Sequence, residues 1–244
     1  MTTVLKLGGS VITHKDEPET VDRETLGMLA EAVAGHGGGD LVVVHGAGSF
    51  GHHYADAHGV TTTDGTTDAV AVREIHGAMK RLNGAVLDAL AAREVPAVPV
   101  HPLSVARRDA SGELTHPLAA VETLLGEDFL PVLHGDAIAH SGRGATILSG
   151  DEVVVELARG LAADRVGLCS AVPGVLDDEG SVVDRIESFE AVAGYLGGSE
   201  ATDVTGGMAG KVRRLLALDA PAHVFGADRT GAFLDGAEPG TRIG

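Results

Sequence analysis

The chain has 244 residues, enough to bury a substantial apolar core as one large α/β domain or two small lobes. Its 18 basic and 35 acidic residues leave a formal charge of −17, a field that repels phosphate backbones and argues against a nucleic-acid partner. A single cysteine, Cys169, excludes an intramolecular disulfide, and no apolar run approaches the ~20 residues of a membrane span, so a cytoplasmic protein with no membrane contact is expected.

The acidic residues are scattered rather than blocked, and four lysines stand against fourteen arginines in a background rich in alanine, glycine and valine. That profile resembles proteins of salt-accumulating halophiles, where ionic strength screens self-repulsion. Three of the four lysines, Lys6, Lys15 and Lys211, lie beside glycine-rich turns, and only Lys80 lies inside an ordinary helical pattern. An acidic chain that binds a polyanion needs such local cations to overcome its own field.

In chain order, Thr3-Val-Leu-Lys-Leu7 reads as a short strand broken by Gly8-Gly9, with Ser10 opening the next segment. A lone Gly-Gly marks only a turn. With Lys6 at the strand end and Lys15 in the following loop, it reads as a turn that cradles phosphate. Asp22 or Thr20 caps a helix over Arg23–Ala34, ended by the glycines from Gly35 to Gly39. Leu41-Val-Val-Val44 is a buried parallel strand, and His45-Gly-Ala-Gly-Ser-Phe-Gly-His-His53 is expected to leave it as a loop. Gly46, Gly48 and Gly51 lack a Cβ and can turn amides toward an anion, with His52 and His53 at the exit.

Residues 60–68 form a polar loop suited to a mobile lid. Val70, Val72, Ile75, Met79, Leu82, Val86 and Leu90 recur at helical spacing over 69–93; the stripe serves the core, or its first turns line an apolar pocket. The prolines in Val95–Val100 place that strand near a sheet edge. A hairpin over Arg107–His116, a helix over 117–125 and a strand over Phe129–Leu133 follow, then a second hairpin turning at Gly142 and Gly144. Ile147-Leu-Ser-Gly-Asp151 leads into a helix over Glu152–Leu161, with Asp151 as a candidate N-cap. The remainder reads as a strand at Val166–Cys169, a turn at Val172-Pro-Gly-Val175, an acidic hairpin over 176–184, a helix over 188–196, a loop at Gly197-Gly-Ser-Glu200, a helix over 211–219, and strands at His223–Phe225 and Thr241–Ile243.

Strands alternating with helices predict an α/β fold, a three-layer α/β/α sandwich around an open, mainly parallel sheet. Ligands bind such sheets at the carboxyl ends of the strands, where the glycine-rich runs fall, so one cleft is expected to collect them.

Lys6-Leu-Gly-Gly-Ser10, His45-Gly-Ala-Gly-Ser-Phe-Gly-His52, Ser149-Gly-Asp151 and Thr202-Asp-Val-Thr-Gly-Gly-Met-Ala-Gly-Lys211 together resemble the amino acid kinase superfamily, and within it the isopentenyl phosphate kinases. The Gly-Ser-Phe-Gly-His run is the specific part, and the likeness extends to the closing Gly240-Thr-Arg-Ile243. The resemblance implies phosphoryl transfer from ATP, with Mg²⁺, to the phosphate of isopentenyl phosphate, by a single domain with an acceptor lobe over 1–164 and a nucleotide lobe over 165–244. It implies that Lys6 and Lys211 bracket the transferring phosphoryl group, that Asp151 orients both lysines, and that His52 holds the acceptor phosphate. Gly8, Gly9, Ser10, Lys15, Gly150, Gly174 and Gly207 would complete the nucleotide site, with Lys15 at the terminal phosphates. Gly46, Ala47, Gly48, Gly51, Val72, Met79 and Gly150 would line the acceptor site, with Asp136 a further polar contact. No side chain is assigned to magnesium, and the resemblance implies a homodimer.

The chemistry is consistent on its own terms. A loose phosphoryl-transfer transition state spreads charge over equatorial oxygens, which fixed cations and amides stabilise. An acceptor phosphate with a second pKa near ~6 is already a nucleophile at neutral pH, so His52 binds rather than abstracts a proton. Two departures stand out: Ser170-Ala171 replaces the Thr-Asp common in the superfamily, and Val70 and Val72 replace bulkier aromatics, leaving room for longer prenyl phosphates. Another kinase of the same fold, acting on a phosphonate or other small acid, and a nucleotide-binding sensor without turnover are the alternatives. The sensor reading predicts loss of the transfer lysines, and both are present.

Overall fold

The computed structural model describes residues 1–196 and 207–244. The predicted loop at 197–200 and residues 202–206 of the lysine-bearing run lie outside the described residues. The strands are β1 Thr2–Leu7, β2 Asp40–His45, β3 Ala97–Pro99, β4 Arg107–Arg108, β5 Leu114–Thr115, β6 Leu130–His134, β7 Asp136–His140, β8 Gly144–Leu148, β9 Arg165–Ser170, β10 Arg185–Ile186, β11 Ala222–Gly226 and β12 Thr241–Ile243. The helices are α1 Gly9–Ile12, α2 Arg23–Ala34, α3 Gly48–Ala57, α4 Ala69–Ala91, α5 Ala119–Gly126, α6 Gly150–Gly160, α7 Ala193–Leu196, α8 Gly207–Leu216 and α9 Thr230–Leu234.

Eight strands form one sheet in the order β10-β12-β11-β9-β1-β2-β6-β3, parallel throughout except where β11 meets β12. β1 sits in the middle, hydrogen-bonded to β2 on one edge and β9 on the other, and a core packs on each of its faces. Its side chains alternate accordingly: Val4 joins a core under α6 and α8, whereas Leu5 and Leu7 join a second core under α2, α4 and α9. Lys6 shares the face of Val4 and so projects toward α6. The mainly parallel three-layer architecture is as expected, and the proline-bearing β3 lies at a sheet edge.

Helix α2 has its predicted bounds, because Asp22 accepts from the Thr25 amide at 2.9 Å and from the Thr25 hydroxyl at 2.8 Å. The helix expected over 188–196 shrinks to α7, and the one expected from 211 begins earlier, at Gly207, so Lys211 lies within the second turn of α8. The hairpins predicted over Arg107–His116 and around Gly142 and Gly144 pair in a small second sheet, β5-β4-β7-β8. The polar loop over 60–68 is not a free lid. Thr66 exchanges two backbone hydrogen bonds with Ala145, and the Ile147 amide donates to Thr61, which fastens the loop to β8.

Along α4, Ile75, Met79, Leu82, Val86 and Leu90 are buried as the periodicity predicts, but Val70 is 54% exposed. Val72 packs with Ala55, Val60, Ile75 and Ala137 in a small satellite cluster.

Candidate active site

A cleft of about 660 Å³ opens at the carboxyl ends of β1, β2 and β9. At its floor the Lys6 ammonium donates to the Asp151 carboxylate at 2.5 Å, with both side chains 11% exposed. Gly150 makes room for this contact, since a Cβ there would lie 3.4 Å from Lys6 Cε and 3.3 Å from the His45 carbonyl. Burial alone would raise the Asp151 pKa, but the charges of Lys6 and Lys211 and the Lys6 hydrogen bond override it and hold the carboxyl below its ordinary range. Lys211, from α8, lines the same cleft. The first and last lysines therefore share one carboxylate and one crevice.

Asp151 is not the N-cap expected for it. Ser149 caps α6 in a capping box with Glu152, and Asp151 occupies the first turn, where a carboxylate is favoured by the helix dipole. Arg108 donates to Glu152 at 2.7 Å and ties the small sheet to this helix start.

The two glycine turns are built against each other. A Cβ on Gly46 would lie 2.6 Å from the Gly9 amide nitrogen, and one on Gly9 would overlap the Gly48 amide. Gly48 has φ +50°, a left-handed conformation that favours glycine. Thr13 staples the pair, donating to the Gly9 carbonyl at 2.8 Å and accepting from the Ser49 amide at 3.0 Å.

The histidine-rich run differs from its expected form. Only Gly46 and Ala47 make a turn, and from Gly48 onward the run is helix α3. The Gly46 amide donates to Leu7 and the Gly51 amide to Ala47, so neither cradles an anion. Gly51 serves packing instead: a Cβ there would lie 2.6 Å from Met79 Sδ. In the first turn of α3 the Ser49 amide is bonded to Thr13 and the Phe50 and Gly51 amides to the Ala47 carbonyl, so Gly48 is the residue there with an amide to offer the cleft, and helix α6 presents its own N-terminus at Gly150 to the same space.

Of the other predicted site residues, Gly8, Ser10, Lys15, Ala47, Gly48, His52, Met79 and Asp136 line the cleft, and so does Ser170, one of the two departures. Val72 and Gly174 do not. Gly174 supports the fold, since a Cβ there would meet Val182 and Thr241. Gly207 opens α8 with φ +56° and lies outside the lining. Ile75 and Met79 take the place expected for Val70 and Val72, so neither valine sets the width of the apolar end.

Sequence reasoning missed the support behind this wall. His45 and His134 end neighbouring parallel strands in register, stack at 5.2 Å, and each presents Nδ1 to the carbonyl of the glycine that follows it, at 3.0 and 2.8 Å. His134 Nε2 lies 2.9 Å from His101 Nδ1, and the Asn83 amide lies 3.2 Å from His45 Nε2. Burial pushes the His45 pKa down to about 4 and the His134 pKa well below its ordinary value, so both rings are neutral. A neutral His45 that donates from Nδ1 needs the Asn83 NH₂ turned toward Nε2, which also gives that buried NH₂ a partner. The repeated His-Gly dipeptide after an apolar run was the available signal. Asp136 is spent on its own shell: it accepts from His76 at 2.9 Å, from the Ala137 amide at 2.9 Å and from the Leu103 amide at 3.3 Å.

Among the described residues no group of three or more His, Cys, Asp or Glu converges on a metal position. With Asp136 and Asp151 already bonded, the described residues do not build a protein cage for Mg²⁺. Among the described residues no helix is long and apolar enough to cross a membrane.

A sequence model of the amino acid kinase family matches residues 1–219. The chain is 63% identical over 241 residues to an isopentenyl phosphate kinase of Haloferax volcanii, covering 98% of this chain and 97% of that protein. It is 35% identical to one of Methanothermobacter thermautotrophicus, over 88% of this chain and 86% of the relative. Among solved structures, an isopentenyl phosphate kinase 28% identical in sequence superposes over the whole of both chains with a TM-score of 0.85. The chain therefore belongs to the amino acid kinase family, within the group of isopentenyl phosphate kinases.

Proposed function

We propose that the protein transfers the γ-phosphoryl group of ATP, taken as its magnesium complex, to the phosphate of isopentenyl phosphate, giving isopentenyl diphosphate and ADP. The observation that carries this is the meeting of Lys6, Asp151 and Lys211 with the N-terminus of α3 in one cleft. Family membership supplies ATP as donor, and the relatives' shared name supplies a small phosphomonoester as acceptor.

An acceptor phosphate oxygen attacks the γ-phosphorus while the bond to the β–γ bridging oxygen breaks, and ADP leaves with that electron pair. Lys6 and Lys211 neutralise charge on the equatorial oxygens, held in place by the carboxylate of Asp151 between them. Lys15 meets the nucleotide's terminal phosphates. His52 donates a hydrogen bond to the acceptor, and the Gly48 amide at the start of α3 completes its cradle. Ile75 and Met79 receive the apolar tail. Residues 1–164 act as the acceptor lobe and 165–244 as the nucleotide lobe, in a cytoplasmic homodimer.

The test is ADP release with isopentenyl phosphate as acceptor, run in molar KCl to screen the chain's charge. Acceptor-dependent ADP is the expected result. ATP binding without acceptor-dependent ADP would refute the assignment.

A further inference from the structure

The loop that carries Lys15 is tied to two neighbouring helices through one residue, Glu19. Its base is a narrow antiparallel pair: Thr13 bridges Val21, the His14 amide donates to Thr20 at 2.9 Å, and the Asp22 amide donates to Ile12 at 2.9 Å. Its tip reaches the cleft, where Lys15, Asp16 and Pro18 form part of the wall. Glu19, at the far side of that tip, has φ +53°. A non-glycine residue holds that left-handed conformation only where its surroundings fix it.

The surroundings of Glu19 are specific. Its amide donates to the Ser49 carbonyl at 3.2 Å, in the first turn of α3. Its carboxylate accepts from the Tyr54 hydroxyl at 2.6 Å, later in α3, and from Arg81 of α4 through Nε at 2.7 Å and Nη2 at 2.5 Å. Arg81 thus binds in the two-pronged geometry that fixes direction as well as distance. The Arg81 hydrogen bonds hold the Glu19 carboxyl below its ordinary range, so the clamp is ionised at neutral pH. Helix α3 is also the helix that carries His52 into the cleft.

We propose that Glu19 is a positioning residue: it fixes the Lys15 loop against α3 and α4, and so sets where the Lys15 ammonium stands relative to His52. This rests on the reading that Lys15 meets the nucleotide's terminal phosphates. Glu19 touches neither substrate; it acts by removing alternative loop positions that would each lower the fraction of chain ready to bind.

The test is a double-mutant cycle read by calorimetric titration with a non-hydrolysable ATP analogue and Mg²⁺, using the full chain. Glu19→Gln keeps the shape of the side chain but turns an NH₂ toward the Arg81 and Tyr54 donors, and Arg81→Met breaks the clamp from the other side without touching the strained backbone. Each is expected to weaken analogue binding about tenfold in the wild-type chain and less than about twofold in a Lys15→Ala chain, because the clamp has nothing left to place. Thermal midpoints close to wild type would confirm that the loss is not one of folding. Equal losses with and without Lys15, or unchanged affinity in both single variants, would overturn the proposal. Because the readout is nucleotide affinity, the clamp is decided independently of which acceptor the protein uses, and failure of isopentenyl phosphate as acceptor would strike the functional assignment alone.

Discussion

Two pairs of ionisable side chains are buried at the carboxyl ends of neighbouring parallel strands, and they solve the same problem in opposite ways. Lys6 and Asp151 remain charged because each answers the other at 2.5 Å, with Lys211 adding to the field. His45 and His134, one strand away, have no carboxylate at hydrogen-bond distance among the described residues, Asp136 standing 4.0 Å from His134 Nδ1; they stack, bond to glycine carbonyls and stay neutral. The difference teaches what the cleft is for. Charge is kept where a developing anion must be met, and removed where the backbone of the glycine turns needs only a fixed direction.

The comparison breaks most visibly if the charged pair is cut. Lys6→Met should lower kcat by about 10³ and destabilise the fold by about 3 kcal/mol, since buried Asp151 keeps the charges of Lys211 and Arg214 but loses its hydrogen-bonded partner. The double variant Lys6→Met/Asp151→Leu should recover most of that stability in urea unfolding and none of the turnover. Recovery of both would mean that the pair is structural.

Acid should break the neutral pair instead. The ordinary histidine value of 6.5 drops to about 4 at His45, so the unfolded chain binds more protons across that window. The stability contributed by this neutral ring is whole above pH 6.5 and is lost as pH falls toward 4, by on the order of 3 kcal/mol for His45, with His134 adding in the same direction. Urea midpoints measured across that range check the sign. The smallest effect sharpens the division between the two sides of the cleft: His52→Ala should raise the acceptor KM about tenfold and leave the ATP KM within about twofold.

Much of this was legible in the sequence. The apolar runs ending in glycine fixed the parallel strands and the side of the sheet on which the cleft opens, and the scarcity of lysine singled out Lys6 and Lys211. The extent of α3 was not legible, because Gly48, Ser49 and Gly51 read as loop formers; close contacts with Gly9, Thr13 and Met79 override their weak helical preference. Nor was the exposure of Val70 visible, because it stands in phase with a buried stripe but in the first turn of α4, beyond the edge of the core. The histidine pair and the Glu19 clamp depend on partners 30 to 89 positions away, which no local pattern reports.

The central claim is that paired ammonium groups and helix N-termini meeting in one cleft move a terminal phosphoryl from nucleotide to a prenyl monophosphate. Phosphorus NMR of isopentenyl phosphate incubated with MgATP and the protein in molar KCl tests it directly. The account predicts that the monophosphate resonance gives way to the two coupled resonances of a diphosphate ester as ADP accumulates. A monophosphate signal that stays unchanged while the nucleotide is bound would contradict it.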